Sequence, residues 1–337
     1  MNQFLAKNIR LGSLAAALVL TACGGGSGGG SSFTPPNINE TPVAITAANQ
    51  NAIAQSVEGG IIGTTEGGNA VLGVVVNSDG SSPSAFDFAS TKLLGLVKQG
   101  SVDSTSQLVG VVQSETILCD SGSFTVTIDI ATPASETLVA GDSASLSANN
   151  CVDNFDDTTI NGRFSLTIDS GFIDLNCISG CPDVAISVNF NNFRITESAE
   201  TIAIHGGFTM AQSETSGTAS FSGTSLFLIA GVDALHLTNF NLSSTLISGD
   251  TATSSSVSMT IASTLIDGSI TIATTVDIEQ VIDQQHPYTG TVVVTGAGGA
   301  TLTIDFIDQY TVDLTIDPDG PGGVAPNPTD TVLWATM

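Results

Sequence analysis

Cations are the scarcest component of this chain: 6 Lys and Arg stand against 32 Asp and Glu in 337 residues, a formal net charge of −26. So few positive groups cannot build the basic patch that a phosphate backbone requires, which excludes nucleic acid as a partner. Electrostatic attraction to anionic lipid headgroups is excluded for the same reason. Aromatic residues are also sparse, 15 Phe, 2 Tyr and 1 Trp scattered along the chain, too few for the two interfacial girdles of a transmembrane barrel. The three histidines, His205, His236 and His286, fall in no H-x-x-H or H-E-x-x-H spacing, so no zinc-hydrolase motif is present. No apolar run approaches the roughly 20 residues of a membrane-spanning helix. What is abundant is hydrophobic residue content, 41% of the chain, too high for an acidic disordered tail. One or two folded domains are expected.

The first residues have a separate character. Lys7 and Arg10 precede the apolar run Leu11 to Leu20, which ends in Leu20-Thr21-Ala22-Cys23. Charge, run length and terminal box occur in the order of a bacterial lipoprotein signal, which this segment resembles. The resemblance implies that residues 1–22 are a signal peptide and that Cys23 is acylated. Acyl chains contribute about 0.8 kcal/mol per buried CH₂, so this anchors the chain to a membrane without a spanning helix. Gly24 stands where an Asp would mark inner-membrane retention, which points to the outer membrane, on either its periplasmic or its surface face. Removing the signal leaves four cations, Lys92, Lys98, Arg163 and Arg194.

Residues 23–41 read as a tether. Gly24 to Ser32 is GGGSGGGSS, a flexible coil without core-forming side chains, and Pro35-Pro36 stiffens its end. It contains a formal G-x-S-x-G match, but no strand or helix flanks it as that motif requires. Residues 42–113 carry two helical patterns. Thr46 can cap a helix running to about Val57, with Ile45, Ile53, Ala54 and Val57 on one side. A second is expected from about Ser84 to Gln99, with Phe86, Leu93, Leu94, Leu96 and Val97 as its apolar stripe.

Residues 114–337 change to period two. Phe124/Val126/Ile128, Phe164/Leu166/Ile168, Ile186/Val188/Phe190, Val257/Met259/Ile261, Leu302/Ile304/Phe306 and Val312/Leu314/Ile316 alternate with polar residues. This is the pattern of antiparallel strands with one buried face. About 12 to 14 strands are expected, with turns at Asn161-Gly162, His205-Gly206-Gly207, Ser222-Gly223, Asp267-Gly268 and Gly296-Ala297-Gly298-Gly299. Without crossover helices the strands form a meander. The expected fold is therefore mainly β: a long antiparallel meander forming a curved sheet or partial barrel, covered by about two N-terminal helices.

Four cysteines remain beyond Cys23: Cys119, Cys151, Cys177 and Cys181. An even set in an exported chain implies disulfides in one of three connectivities, of which Cys119–Cys151 with Cys177–Cys181 is favoured. A four-thiolate zinc site and a redox pair at Cys177/Cys181 are the alternatives. For metals, Asp317-Pro318-Asp319-Gly320 begins like a calcium loop, but Pro321 and Pro328 occupy positions where such a loop needs oxygen ligands. Asp153, Asp156 and Asp157 form a second acidic loop. No cofactor is expected, with weak Ca²⁺ binding at Asp317 and Asp319 the one candidate. No catalytic residues can be assigned: pairing a histidine with one of many serines requires spatial convergence that the sequence does not disclose.

Several segments together, Cys119-Asp120-Ser121-Gly122, Leu138 to Ser143, Asn149-Asn150-Cys151, Ile160-Asn161-Gly162, His286 to Gly290, Gly296 to Gly299, Asp317 to Gly320 and Trp334, resemble a family of uncharacterised lipoproteins of Gram-negative bacteria. The resemblance covers most of residues 115–337 and implies the β-meander architecture and the Cys119–Cys151 pairing. The reading that follows is a non-enzymatic outer-membrane lipoprotein, an envelope binding or structural module whose partner is an envelope protein or a lipid. The alternative is a carrier for a lipid or other apolar ligand held between the curved sheet and the N-terminal helices.

Overall fold

The computed structural model describes residues 34–54, 57, 112–129, 137–153, 158–174, 183–197, 200–213, 215–247, 251–264, 266–281, 284, 286–320 and 329–334. Among them fifteen strands form one sheet: β1 (Val112–Leu118), β2 (Ser121–Asp129), β3 (Thr137–Val139), β4 (Ser143–Asp153), β5 (Thr158–Asp174), β6 (Val184–Glu197), β7 (Glu200–Ser213), β8 (Thr218–Ala230), β9 (Asp233–Ile247), β10 (Ala252–Ser263), β11 (Gly268–Val281), β12 (Thr289–Thr295), β13 (Thr301–Phe306), β14 (Thr311–Asp317) and β15 (Asp330–Leu333). Every strand pairs antiparallel with its neighbour in sequence, apart from β3, which pairs with the end of β5 while β2 pairs with β4. The order runs from β1 to β15 without returning, so the sheet is open.

The alternation that marks the strands also sets their faces. Phe164, Leu166 and Ile168 are at most 4% exposed, and Leu302, Ile304 and Phe306 likewise, while the residues between them face outward. The buried side chains of β2 to β14 belong to one contiguous cluster that also takes in Ile45, Ile53, Ala54, Val57 and Trp334. Inside it, the rings of Phe164, Phe190, Phe208, Phe221 and Phe240 form a ladder across β5 to β9, with successive centroids 5.2, 6.2, 4.6 and 5.1 Å apart.

The expectation of about two N-terminal helices is corrected. Among the described residues there is one short helix, at 50–54 and 57, and the expected helix from about Ser84 to Gln99 lies outside them. Its start follows the sequence: Gln50 N–H donates to the Thr46 carbonyl (3.0 Å), and the Asn49 side-chain oxygen accepts from Thr46 N–H (2.8 Å), the returning half of a capping box. At ~1.5 Å per residue such a helix is about 10 Å long, whereas fourteen strands side by side span about 60 Å. It can plug one end but cannot cover the face. An open sheet of this size with one apolar face must curl or be covered, and its inward residues are buried from β2 to β14.

Breaks in the ladders give the strands places to bend. Register shifts interrupt the ladders between β4 and β5, β5 and β6, β6 and β7, and β7 and β8. Asn150, Gly162, Asn192 and Gly206 take positive φ at or beside these breaks, and Asn239 does so on β9. They form a line of bulges across consecutive strands, and each bulge bends its strand and increases its twist. At Gly162, with φ +92°, a Cβ would stand 2.0 Å from the carbonyl oxygen of Asn192 on the next strand, so only glycine fits the crease. This corrects three expected turns. Asn161-Gly162, His205-Gly206-Gly207 and Ser222-Gly223 lie inside β5, β7 and β8: the left-handed conformation of Gly162 and Gly206 serves a bulge as well as a hairpin, and at Gly223 a Cβ would meet the Phe240 ring at 2.3 Å. Asp267-Gly268 and Gly296 to Gly299 do lie at strand connections.

Candidate functional site

The outer face of β7 to β9 gathers the chemistry that sequence spacing leaves scattered. On β9, Leu235 and Leu237 are buried, so alternation puts His236 on the opposite face; on β8, buried Leu226 and Leu228 do the same for Ser225 and Phe227. The register aligns His205, Phe227 and His236 in one row across three strands. The Phe227 and His236 rings stack, with centroids 3.8 Å apart and planes 9° from parallel.

A segment from the far end of the sequence completes the group. Ser269 on β11 donates its amide to Thr41 O (2.9 Å) and its hydroxyl to Glu40 O (2.8 Å), and its carbonyl accepts from Val43 N–H (2.9 Å). The Asn39 amide donates to Asp267 O (2.9 Å), and Val43 O accepts from Ala297 N–H (2.8 Å). These bonds strap residues 39–43 across one end of the sheet. They bring Glu40 Oε1 to 2.9 Å from His236 Nδ1, while His236 Nε2 lies 3.0 Å from Ser225 Oγ. Ala262, between His236 and Ser269 in the register, is a methyl that leaves room for the crossing strap.

Proton positions follow from the partners. A carboxylate only accepts, so Nδ1 of His236 carries the hydrogen toward Glu40, leaving Nε2 to accept from the Ser225 hydroxyl. The Glu40–His236 contact is largely open to water on the Glu40 side and contributes little as an ion pair; its effect is to fix tautomer and ring orientation. In the same row, His205 Nδ1 accepts the backbone N–H of Asn192 (3.1 Å), so its proton resides on Nε2. Burial pushes the His205 pKa below the ordinary 6.5 and keeps the ring neutral. Chemically, Ser225, His236 and Glu40 reproduce a nucleophile, a base and an orienting acid. No short motif announces this: Glu40 and His236 are 196 residues apart. The one available sign is strand alternation, which places both Ser225 and His236 outward.

The other expected site residues are distributed elsewhere. Cys119 and Cys151 form a disulfide with Cα atoms 5.3 Å apart, joining the turn before β2 to β4. Cys23, Cys177 and Cys181 lie outside the described residues, as do Asp156 and Asp157. At the end of β14, Asp317 Oδ1 accepts the backbone N–H of Asp319 (3.3 Å), so this carboxylate stabilises its own turn. Among the described residues no group of three or more His, Cys, Asp or Glu side chains converges as a metal site would need. His286 stacks on Trp334, with centroids 5.2 Å apart, far along the chain from the other two histidines. No described helix is long and apolar enough to cross a membrane. Compared with protein-family models, curated proteins and solved structures, the chain matches none.

Proposed function

We propose that this protein is an outer-membrane lipoprotein, anchored through Cys23, that holds a curled antiparallel sheet off the membrane on its Gly/Ser/Pro tether and works as a binding or structural module of the envelope. The observation that carries this reading over the carrier reading is the state of the inner face. A bound lipid needs an apolar lining with open surface. The inward side chains instead leave none: Leu235, Val292, Val294, Leu302, Ile304 and Val312 are all at 0% exposure. The outer face is then where the module meets a partner. With so few cations on the chain, that partner is neutral or basic, an envelope protein in preference to an anionic polymer.

The test is recovery of the acylated protein from whole cells, with bound proteins and extractable lipids identified together. The expected result is a protein partner in stoichiometric yield and no amphiphile beyond the protein's own acyl chains. A stoichiometric co-purified lipid would favour the carrier, and membrane association unaffected by Cys23→Ala would remove the anchor.

A further inference from the structure

We propose that Ser225, His236 and Glu40 act as a nucleophilic relay on the outer face of the sheet and give the module an esterase-type activity toward short-chain carboxylic esters. The inference goes beyond the binding reading above and fails or holds independently of it.

The geometry supplies the demanding parts of the relay. Ser225 Oγ and His236 Nε2 are at hydrogen-bond distance, 3.0 Å, and His236 Nδ1 and Glu40 Oε1 are at 2.9 Å. One ring therefore uses both nitrogens, each in the role its neighbour dictates. The ring is held from three directions: by Glu40 at Nδ1, by Ser225 at Nε2 and by the Phe227 ring against its face. This limits rotation and keeps Nε2 aimed at the hydroxyl without reorganisation. The acid is itself fixed, because Ser269 holds the Glu40 backbone and the strap bonds extend from Asn39 to Val43. A fourth group stands nearby. Gly207 is the register partner of Ser225 and His205 that of Phe227, which makes His205 a diagonal cross-strand neighbour of Ser225.

The reaction balances with water as the only co-reactant. Ser225 Oγ bonds to the acyl carbon as its proton passes to His236 Nε2, and Glu40 stabilises the imidazolium through Nδ1–H. The alkoxide of the ester departs with that proton as the C–O bond breaks. Water then adds to the acyl-serine, its proton returning through His236 to Ser225 Oγ, and the carboxylic acid leaves. The substrate class follows from the setting. Among the described residues, Phe227 shares the outward face of β8 with Ser225, its ring stacked on His236, and a sheet face of this kind suits a short acyl group. An ester is preferred to an amide because its alkoxide leaves more readily than an amine. The acidic surface repels anionic substrates, so the alcohol portion is neutral or cationic.

The test uses the full-length acylated protein in detergent with two probes: a fluorophosphonate, which forms a phosphonyl–serine bond with loss of fluoride, and p-nitrophenyl acetate. The relay predicts one stoichiometric phosphonyl adduct, mapped by mass spectrometry to Ser225. Ser225→Ala abolishes it, His236→Gln slows labelling at least 100-fold, and Glu40→Gln slows it about 10-fold. Acetate release falls in the same order, while Thr315→Ala on distant β14 changes neither. Melting curves of each variant establish that it is folded. Folded wild-type protein with Ser225 unmodified, or labelling that proceeds equally in folded His236→Gln, overturns the proposal.

Discussion

Strands β4 to β9 and strands β12 to β14 belong to the same sheet and follow the same alternation, yet they are built differently. In the first region nearly every pair carries a register shift, Asn or Gly residues occupy left-handed conformations, and the inner face is a ladder of phenyl rings. In the second region the ladders from β12 to β13 and from β13 to β14 run without a break, and the inner face is Val, Leu and Ile apart from Phe306 at the end of β13. The pairing shows why. Bulged strands bend and spread, which opens volume on the inner side that large rings fill; regular strands pack at even spacing, where branched aliphatics suffice. The bends also bring residues together on the outer side. Asn161 donates to Asn150, and Asn192 meets both His205 and Arg194 along the crease. The Ser225–His236–Glu40 group belongs to this irregular region, whereas hydroxyl pairs such as Ser187–Thr209 (3.2 Å) and Thr315–Thr329 (2.8 Å) occur in both.

The largest test of this contrast is in the ladder. Phe240→Ala removes a ring that is 1% exposed and stacks on Phe221; it is expected to cost about 3–5 kcal/mol, read from the urea midpoint. Ile304→Val in the regular region removes one buried methyl and is expected to cost about 0.5–1.5 kcal/mol. Comparable costs would mean that the aromatic ladder has no special structural weight.

The next effect separates crease from turn. Gly162→Ala places a Cβ 2.0 Å from Asn192 O at φ +92°, whereas Gly141, at φ +95°, has nothing within 4 Å. Gly141→Ala is expected to cost about 1–2 kcal/mol for the left-handed backbone alone. Gly162→Ala is expected to add at least about 1–3 kcal/mol for strain transmitted to the neighbouring strand. Equal losses in denaturant titration would show that the crease is not locked by close approach.

The smallest effect is in the pH dependence. Burial lowers the folded pKa of His205 below 6.5, so the unfolded chain takes up a proton at a higher pH than the folded one. The stability this group contributes is complete above the unfolded value and is lost as the pH falls below it toward the folded value. His205→Asn is expected to flatten the fall in melting temperature between neutral and mildly acidic pH. An unchanged slope would show that the crease imidazole is not the group responsible.

The inward residues of the strands were legible because burial on one face imposes period two, and Phe164/Leu166/Ile168 or Val312/Leu314/Ile316 carry that period without interruption. The Thr46 helix start and the Cys119–Cys151 pair were legible from local signals and from a resemblance. The bulges were not. Asn161-Gly162 looks the same to a reader of sequence whether it closes a hairpin or kinks a strand, since both use the same left-handed backbone, and the choice is made by whether the flanking residues find partners on both sides. The length of the strands and the position of the crease follow from that choice. Alternation marked Ser225 as outward, like many other serines, and Glu40 carried no signal.

The sequence by itself determined the chemistry of each face: which side chains leave water, that the chain is acidic throughout, and that its elements are strands paired in order, because these depend on neighbours one or two residues away. Only the tertiary structure decided where the sheet bends and which outward residues meet. The meeting of Glu40 with His236 requires the strap to be held on Ser269, three strands to lie side by side in one register, and small Ala262 to stand between. Those conditions are set by packing across the whole sheet, and no stretch of the chain contains them.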